Sequence, residues 1–231
     1  MRVIAAHISM RLANGDSMTN KICYIVGAGY NYGLDFYIQN GDYVIAADGG
    51  YDYLQKHGIP ADLVIGDFDS IAKPPPLSNA ITLNRNKDFS DMFEAIKIGI
   101  KKGYEYFHIY CGTGGRFDHT FANIQALTYL SQNGKRGYLV DKDCIITTIT
   151  NGSITLGPNC SGYISVFSFS DISTGVYLKG LKYTELENNT MSSTCPMGVS
   201  NEFIGVESTV SVDDGTLVVI FPREHLCCIR N

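Results

Sequence analysis

Acidic residues follow short apolar runs in this sequence: Asp48 comes after Val44-Ile45-Ala46-Ala47, and Asp67 and Asp69 come after Leu63-Val64-Ile65-Gly66. A third run, Tyr106-Phe107-His108-Ile109-Tyr110, leads into Cys111-Gly112-Thr113-Gly114-Gly115-Arg116. Glycines at 112, 114 and 115 leave a backbone that can approach phosphate oxygens closely. The amides that open the following helix add its positive dipole end. Carboxylates beside a phosphate site repel the phosphates unless a cation lies between them, and Mg²⁺, a hard ion that takes oxygen ligands, reconciles the two. Asp67 and Asp69, two residues apart at the end of an apolar run, are the expected ligands. Arg116 and Lys87 are the cations expected to stabilise charge on a departing group.

Such residues act together only if one scaffold delivers them to one place. Short apolar runs over 22–27, 43–47, 63–66, 80–83, 106–111 and 138–140 read as strands buried on both faces, as in a parallel sheet with crossover helices. Two helices have an evident stripe. Over 89–102 the stripe is Phe89, Met92, Phe93, Ile96 and Ile100, stopped by Gly103, and over 117–131 it is Phe117, Phe121, Ile124 and Leu127. Ligands of an open parallel sheet bind at the carboxyl ends of its strands. Asp48, Asp67-Phe68-Asp69-Ser70 and the glycine-rich stretch all leave strands there. Lys87-Asp88-Phe89-Ser90-Asp91 opens a helix on the same edge.

After Thr148 the texture changes to alternating Ser, Thr, Val, Ile and Tyr, with turn signals such as Asn151-Gly152 and Asp213-Asp214-Gly215. The expected fold class is therefore α/β: an N-terminal parallel-sheet, Rossmann-like α/β domain over 21–148, followed by a small all-β sandwich over 149–231. Residues 1–20 read as a poorly ordered leader. About 80 residues make a marginal sandwich on their own, so the second domain is expected to pack on the first or on another subunit.

Hydrophobic residues make up 45% of the 231 and charged ones 18%, a globular composition with no run long enough for a membrane span. A formal charge of −5 with scattered Lys and Arg offers no footprint for nucleic acid and favours a small ligand. Seven cysteines without a C-x₂-C pair suggest reduced thiols in a cytoplasmic protein, packed as small hydrophobes; the adjacent Cys227 and Cys228 have a spacing that rarely suits either a disulfide or a zinc site.

Taken singly, Asp48, Asp88 and Asp118 read as caps of turns or helices, and His119 as a packing residue. Gly27-Ala28-Gly29, with the next glycine at 33, misses the dinucleotide fingerprint and reads as a turn. No G-x-x-x-x-G-K-[ST] loop is present. Four polar clusters at one end of one sheet are nevertheless hard to obtain by capping alone.

Ala47-Asp48-Gly49-Gly50, Gly66-Asp67-Phe68-Asp69-Ser70, Lys87-Asp88-Phe89-Ser90-Asp91 and Gly114-Gly115-Arg116-Phe117-Asp118-His119 resemble the four signature blocks of the thiamine pyrophosphokinase family, in its order and approximate spacing. Gly180-Leu181-Lys182-Tyr183 and Val199-Ser200-Asn201-Glu202-Phe203 resemble the two later blocks that line the thiamine pocket. The resemblance runs from Lys21 to Phe221. It implies transfer of pyrophosphate from ATP to the hydroxyl of thiamine, with Asp67, Asp69 and Asp91 on Mg²⁺ and Asp48 nearby. It also implies that Gly49, Gly50, Ser70, Lys87, Gly112, Thr113, Gly114, Gly115 and Arg116 hold ATP, and that Asp118 positions thiamine. A homodimer is implied too, with Tyr183, Ser200 and Asn201 reaching thiamine across the subunits. Tyr183 stands where many members have Trp, which weakens stacking on a cationic ring. Ser90 replaces a commoner Thr and keeps the hydroxyl.

Two other readings compete. A haloacid-dehalogenase-type phosphatase also places D-x-D after a buried strand and uses the first Asp as nucleophile, but leaves the β-rich half without a role. A non-catalytic sensor of thiamine or nucleotide leaves the acidic set unexplained.

Overall fold

The computed structural model describes residues 21–68, 76–83 and 89–230. Backbone contacts divide the chain into two compact units, Met1–Ala126 with Gly137–Asp141, and Leu127–Arg136 with Lys142–Asn231. The fold is mixed α/β, and among the described residues no helix is long and apolar enough to cross a membrane.

The strands of the first unit are β1 (Ile22–Val26), β2 (Tyr43–Ala47), β3 (Leu63–Gly66), β4 (Ala80–Thr82), β5 (Tyr106–Tyr110) and β6 (Arg136–Val140). Their lateral order is β6-β5-β1-β2-β3-β4, and the pairs from β5 to β4 are parallel. All of β1 and β3 and most of β2 and β5 are buried, which accounts for their unbroken apolar runs. The chain steps outward from β1 to β4, then returns to place β5 on the other flank of β1. The strand order therefore reverses between β1 and β5, the point where open sheets leave a crevice at their carboxyl ends.

Three α-helices are described: α1 (Gly50–Lys56), α2 (Asp91–Lys101) and α3 (Phe117–Gln132). Ser90 caps α2 by accepting the Phe93 N–H on its hydroxyl (3.2 Å), and Gly103, at φ +88°, supplies the left-handed stop expected of it. The buried face of α2 is Met92, Ala95, Ile96 and Gly99, turned away from the expected stripe. Gly99 causes the turn, because a Cβ there would meet a Phe107 ring carbon at 2.5 Å, so the helix approaches the sheet through this residue. Phe89 is left exposed, with Phe93 beside it at 5.1 Å between ring centroids and Lys97 Nζ 4.8 Å from its own.

The stripe expected for α3 needs a larger correction. Phe117 is 79% exposed and Phe121 is also exposed, whereas the buried residues are Asn123, Ala126, Leu127 and Leu130. A polar contact sets this face: the Asn123 amide donates to the Gly112 carbonyl at 2.7 Å, in the buried interior.

The second unit is antiparallel. It comprises β7 (Cys144–Leu156), β8 (Tyr163–Ser168), β9 (Ile172–Thr174), β10 (Tyr177–Lys179), β11 (Thr190–Ser192), β12 (Asn201–Glu202), β13 (Ser208–Pro222) and β14 (Ile229–Arg230). β13 pairs with β7, β8, β9 and β10. Its register on β7 runs from Ser208 opposite Leu156 to Pro222 opposite Cys144, with an irregularity between Val212 and Thr216. Alternate residues of β8 are buried, as its alternating polarity requires. Among the described residues from Cys144 onward, helical geometry is limited to 3₁₀ turns at Glu187–Asn189 and Arg223–Cys228.

Candidate functional site

At the crevice between β1 and β5, two glycine-bearing loops interlock. The Gly27 N–H donates to the Tyr110 carbonyl (2.9 Å), the Gly29 N–H to that of Cys111 (2.7 Å) and the Tyr30 N–H to that of Thr113 (2.9 Å). A Cβ on Gly29 would lie 2.5 Å from the Thr113 carbonyl oxygen, and one on Gly114 would lie 2.6 Å from the Tyr30 ring. Gly27-Ala28-Gly29 is thus a turn, as its spacing indicates, and that turn braces the Cys111–Gly115 segment from the β1 side.

Thr113 is buried, and its hydroxyl donates to the Asp141 carboxylate. Asp141 leaves β6 as Asp48 leaves β2, and the same signal, an acid after an apolar run, marks it in the sequence. Thr113→Val should lower stability by about 1.5–3 kcal/mol, the worth of a hydrogen bond to a charged group. The urea midpoint of the purified variant measures this.

One strand further out, two acids leave adjacent strand ends. Asp48 follows β2 and donates its N–H to the Ile65 carbonyl of β3 (2.8 Å). Gly66 has no Cβ to spare, since one would lie 3.1 Å from Asp48 Cα, and this close approach brings the exits of β2 and β3 together ahead of Asp67. Asp91 is the first residue of α2, which follows β4; β4 is parallel to β3, so Asp91 belongs to the same edge. Asp69, Ser70, Lys87 and Asp88 lie outside the described residues. Hard carboxylate oxygens from adjacent strand ends are the donor type that Mg²⁺ takes. Among the described residues Asp48, Asp67 and Asp91 do not bring three ligand atoms within 4.8 Å of one another.

Backbone strain marks these same positions. Seven described non-glycine residues have positive φ; three are asparagines and one is Asp48 (φ 50°), types that tolerate the left-handed region. The other three are Phe68 (φ 60°), Cys111 (φ 54°) and Ser200 (φ 56°), which have no such excuse. Each lies within or beside a block singled out in the sequence, and residues held in sparse regions of φ/ψ cluster at functional sites. Phe68 and Cys111 could not be picked out from sequence, because neither residue type signals a left-handed backbone.

Arg116 and Asp118 form a two-point pair in the open, with Nη2 to Oδ2 at 2.6 Å and Nε to Oδ1 at 3.2 Å. The Asp118 carboxylate also accepts the His119 N–H (3.0 Å), which places it at the start of α3. The guanidinium holds the Asp118 carboxyl below the usual carboxylate range, and Arg116 is raised in return. The pair therefore stays ionised at neutral pH and loosens only as pH falls through that lowered range.

In the second unit, Tyr183, Ser200 and Asn201 come together, with unequal roles. Tyr183 is 59% exposed, whereas Asn201 is 5% exposed. The Asn201 side chain accepts the Tyr183 N–H (3.0 Å) and donates to the Tyr183 carbonyl (2.7 Å), so it clamps the backbone beneath the aromatic ring. Lys182 and Glu202 form an ion pair at 2.8 Å, and Lys182 Nζ lies 5.4 Å from the Tyr183 ring centroid. Ser200 donates its N–H to the Ser165 hydroxyl (3.1 Å).

Two family models match the sequence: "Thiamin pyrophosphokinase, catalytic domain" over residues 34–139 and "Thiamin pyrophosphokinase, vitamin B1 binding domain" over residues 153–217. The thiamine pyrophosphokinase of Bacillus subtilis is 30% identical over 185 residues, which cover 76% of this chain and 85% of that protein. A crystal structure of thiamine pyrophosphokinase from the same organism superposes with a TM-score of 0.78 at 27% identity, covering 87% of this chain and 99% of the other. One from Geobacillus thermodenitrificans gives 0.73 at 26%, covering 89% and 99%.

Proposed function

Because this chain belongs to the thiamine pyrophosphokinase family, we propose that it moves the terminal pyrophosphoryl group of ATP to the hydroxyethyl oxygen of thiamine, releasing AMP. The observation that carries this reading is the single sheet edge that bears both the glycine-braced crevice between β1 and β5 and the paired acidic exits of β2 and β3.

The first region, 21–148, takes the role of a Rossmann-like ATP-binding domain, and 149–231 that of a β-sandwich for thiamine. Gly112, Thr113, Gly114 and Gly115 present backbone to the phosphates, with Gly49, Gly50, Ser70 and Lys87 completing the nucleotide set. Asp67, Asp69 and Asp91 would hold Mg²⁺, with Asp48 beside them. Bound there, Mg²⁺ would neutralise phosphate charge and polarise the transferring group. Arg116 exchanges its pairing with Asp118 for phosphate oxygens and stabilises the charge that develops on them. Asp118, released and ionised, positions thiamine. The work of the chain is placement and charge compensation for in-line attack.

Tyr183 offers its ring to the cationic thiamine heterocycle, and Asn201 acts through Tyr183. Sharing of the site across a homodimer, with these residues supplied by the second subunit, accords with the exposure of Tyr183. The seven cysteines are free, in keeping with a cytoplasmic setting.

Protein incubated with ATP, Mg²⁺ and thiamine should release AMP in step with thiamine diphosphate. Appearance of ADP instead would overturn the pyrophosphoryl assignment, and no thiamine-dependent turnover would favour a sensor. Asn201→Ala should raise KM for thiamine about tenfold, through loss of roughly 1–1.5 kcal/mol of hydrogen bonding to the Tyr183 backbone, with KM for ATP unchanged. Steady-state kinetics with each substrate varied in turn separates the two.

A further inference from the structure

A second ligand set, of different chemistry, lies in the antiparallel unit. Cys160 is in the turn between β7 and β8, and His225 and Cys228 are in the 3₁₀ turn after β13; one ligand atom from each lies within 4.8 Å of the others. Cys160 is 3% exposed and His225 6%, while Cys228 is half-buried. The two turns are already joined, for the Gly157 N–H donates to the Cys228 carbonyl at 2.9 Å. His225 Nε2 accepts the Ser161 N–H (3.0 Å) and lies 2.9 Å from the Ser161 carbonyl, and the Phe203 ring stands edge-on to the imidazole at 5.8 Å.

We propose that Cys160, His225 and Cys228 bind a borderline-soft divalent cation, zinc foremost, at a site separate from the acidic strand edge. Thiolate and imidazole are the donors Zn²⁺ selects and Mg²⁺ does not. Tetrahedral zinc with bonds of about 2.0–2.3 Å sets its ligand atoms roughly 3.5–3.8 Å apart, so the trio needs only a modest contraction to close on an ion. The Ser161 backbone meets Nε2 with both its N–H and its carbonyl; metal binding selects the tautomer in which Nε2–H donates to the carbonyl and Nδ1 keeps its lone pair for the ion, with the backbone fixing the ring as outer-shell partners do. Burial raises the Cys160 and Cys228 thiols, so without metal both keep their protons. On binding, two S–H bonds give way to two Zn–S bonds, the two protons pass to solvent, and the cation with two thiolates and a neutral imidazole carries no net charge, which suits a buried site. Cys227 Sγ is 3.9 Å from Cys228 Sγ, but its thiol donates to the Glu224 carbonyl (3.4 Å); water takes the fourth position on the half-open side.

Reduced, metal-free full-length protein titrated anaerobically with Co²⁺ tests this. One equivalent should produce the intense visible bands of a tetrahedral site with thiolate-to-cobalt charge transfer, abolished by Zn²⁺ and unaffected by excess Mg²⁺. Cys160→Ser and Cys228→Ser should each weaken Co²⁺ binding by roughly 100-fold or more, whereas Cys227→Ser and Asp67→Asn should keep the bands. Should Cys160→Ser fail to fold, Cys228→Ser at the half-exposed end carries the test, with circular dichroism to verify its fold. A weak six-coordinate spectrum, charge-transfer bands that survive in Cys228→Ser, or a Cys160–Cys228 disulfide in the freshly reduced protein would each overturn the assignment.

Discussion

Asp67→Asn is expected to cut AMP formation from ATP and thiamine by roughly 10²–10³-fold, the scale seen when one electrostatic contributor to a transition state is removed. Asparagine keeps the shape of the side chain and loses its charge, so the fold should survive. Asp67 follows the exit of β3, next to that of β2 and its Asp48. Removal of one like charge from that edge should leave the denaturation midpoint unchanged or slightly raised. Circular dichroism and urea unfolding provide the control, and Asp69→Asn should behave alike. Turnover within a few-fold of the parent in both variants, with the fold intact, would remove the metal assignment.

Gly50→Ala should be the most damaging small change to the fold. A Cβ at Gly50 would lie 2.0 Å from the Val26 carbonyl oxygen, 2.6 Å from the Val26 carbonyl carbon and 2.9 Å from the Gly27 oxygen. All three are backbone atoms at the end of β1, so no rotamer relieves the contact. Helix α1 must move away from the central strand, at about 3 kcal/mol or more, the upper end of overpacking costs. A urea midpoint lower by about 1 M would follow for a slope of about 3 kcal/mol/M. Gly49→Ala is the matched control: its nearest neighbour would be the Ala28 Cβ at 3.3 Å, and Gly49 has an ordinary negative φ, so its midpoint should stay close to the parent's. Equal midpoints for both variants would show that the close approach at Gly50 is not what holds α1 in place.

These positions differ in how far the sequence could reveal them. Unbroken apolar runs make β1, β2, β3 and β5 legible, because a strand covered on both faces has no room for polar residues. α1 is not legible, since seven residues with only Gly50, Tyr51 and Leu54 buried make too short a pattern. In α3 the aromatics Phe117 and Phe121 lie off the buried face. The Asn123 amide, which seeks the Gly112 carbonyl, outweighs Phe117 and Phe121 in setting the helix rotation. Asp48 and Asp67 stand out only together, because acids leaving two adjacent buried strands at one edge are hard to obtain by capping alone. Asp141 carries the same mark after β6. Asn201 is legible as part of a block, but its clamp on the Tyr183 backbone spans 18 residues and no local spacing encodes it.

The place of β13 in the antiparallel unit also bears on how the polypeptide is made. β7, β8, β9 and β10 all hydrogen-bond to a strand that the ribosome delivers after them, and Cys144 waits for Pro222. Until then their edges lie open to other chains, and pairing across such sequence distances is slow. Nascent protein should therefore pass through a late, aggregation-sensitive interval in which chaperones have the most to shield.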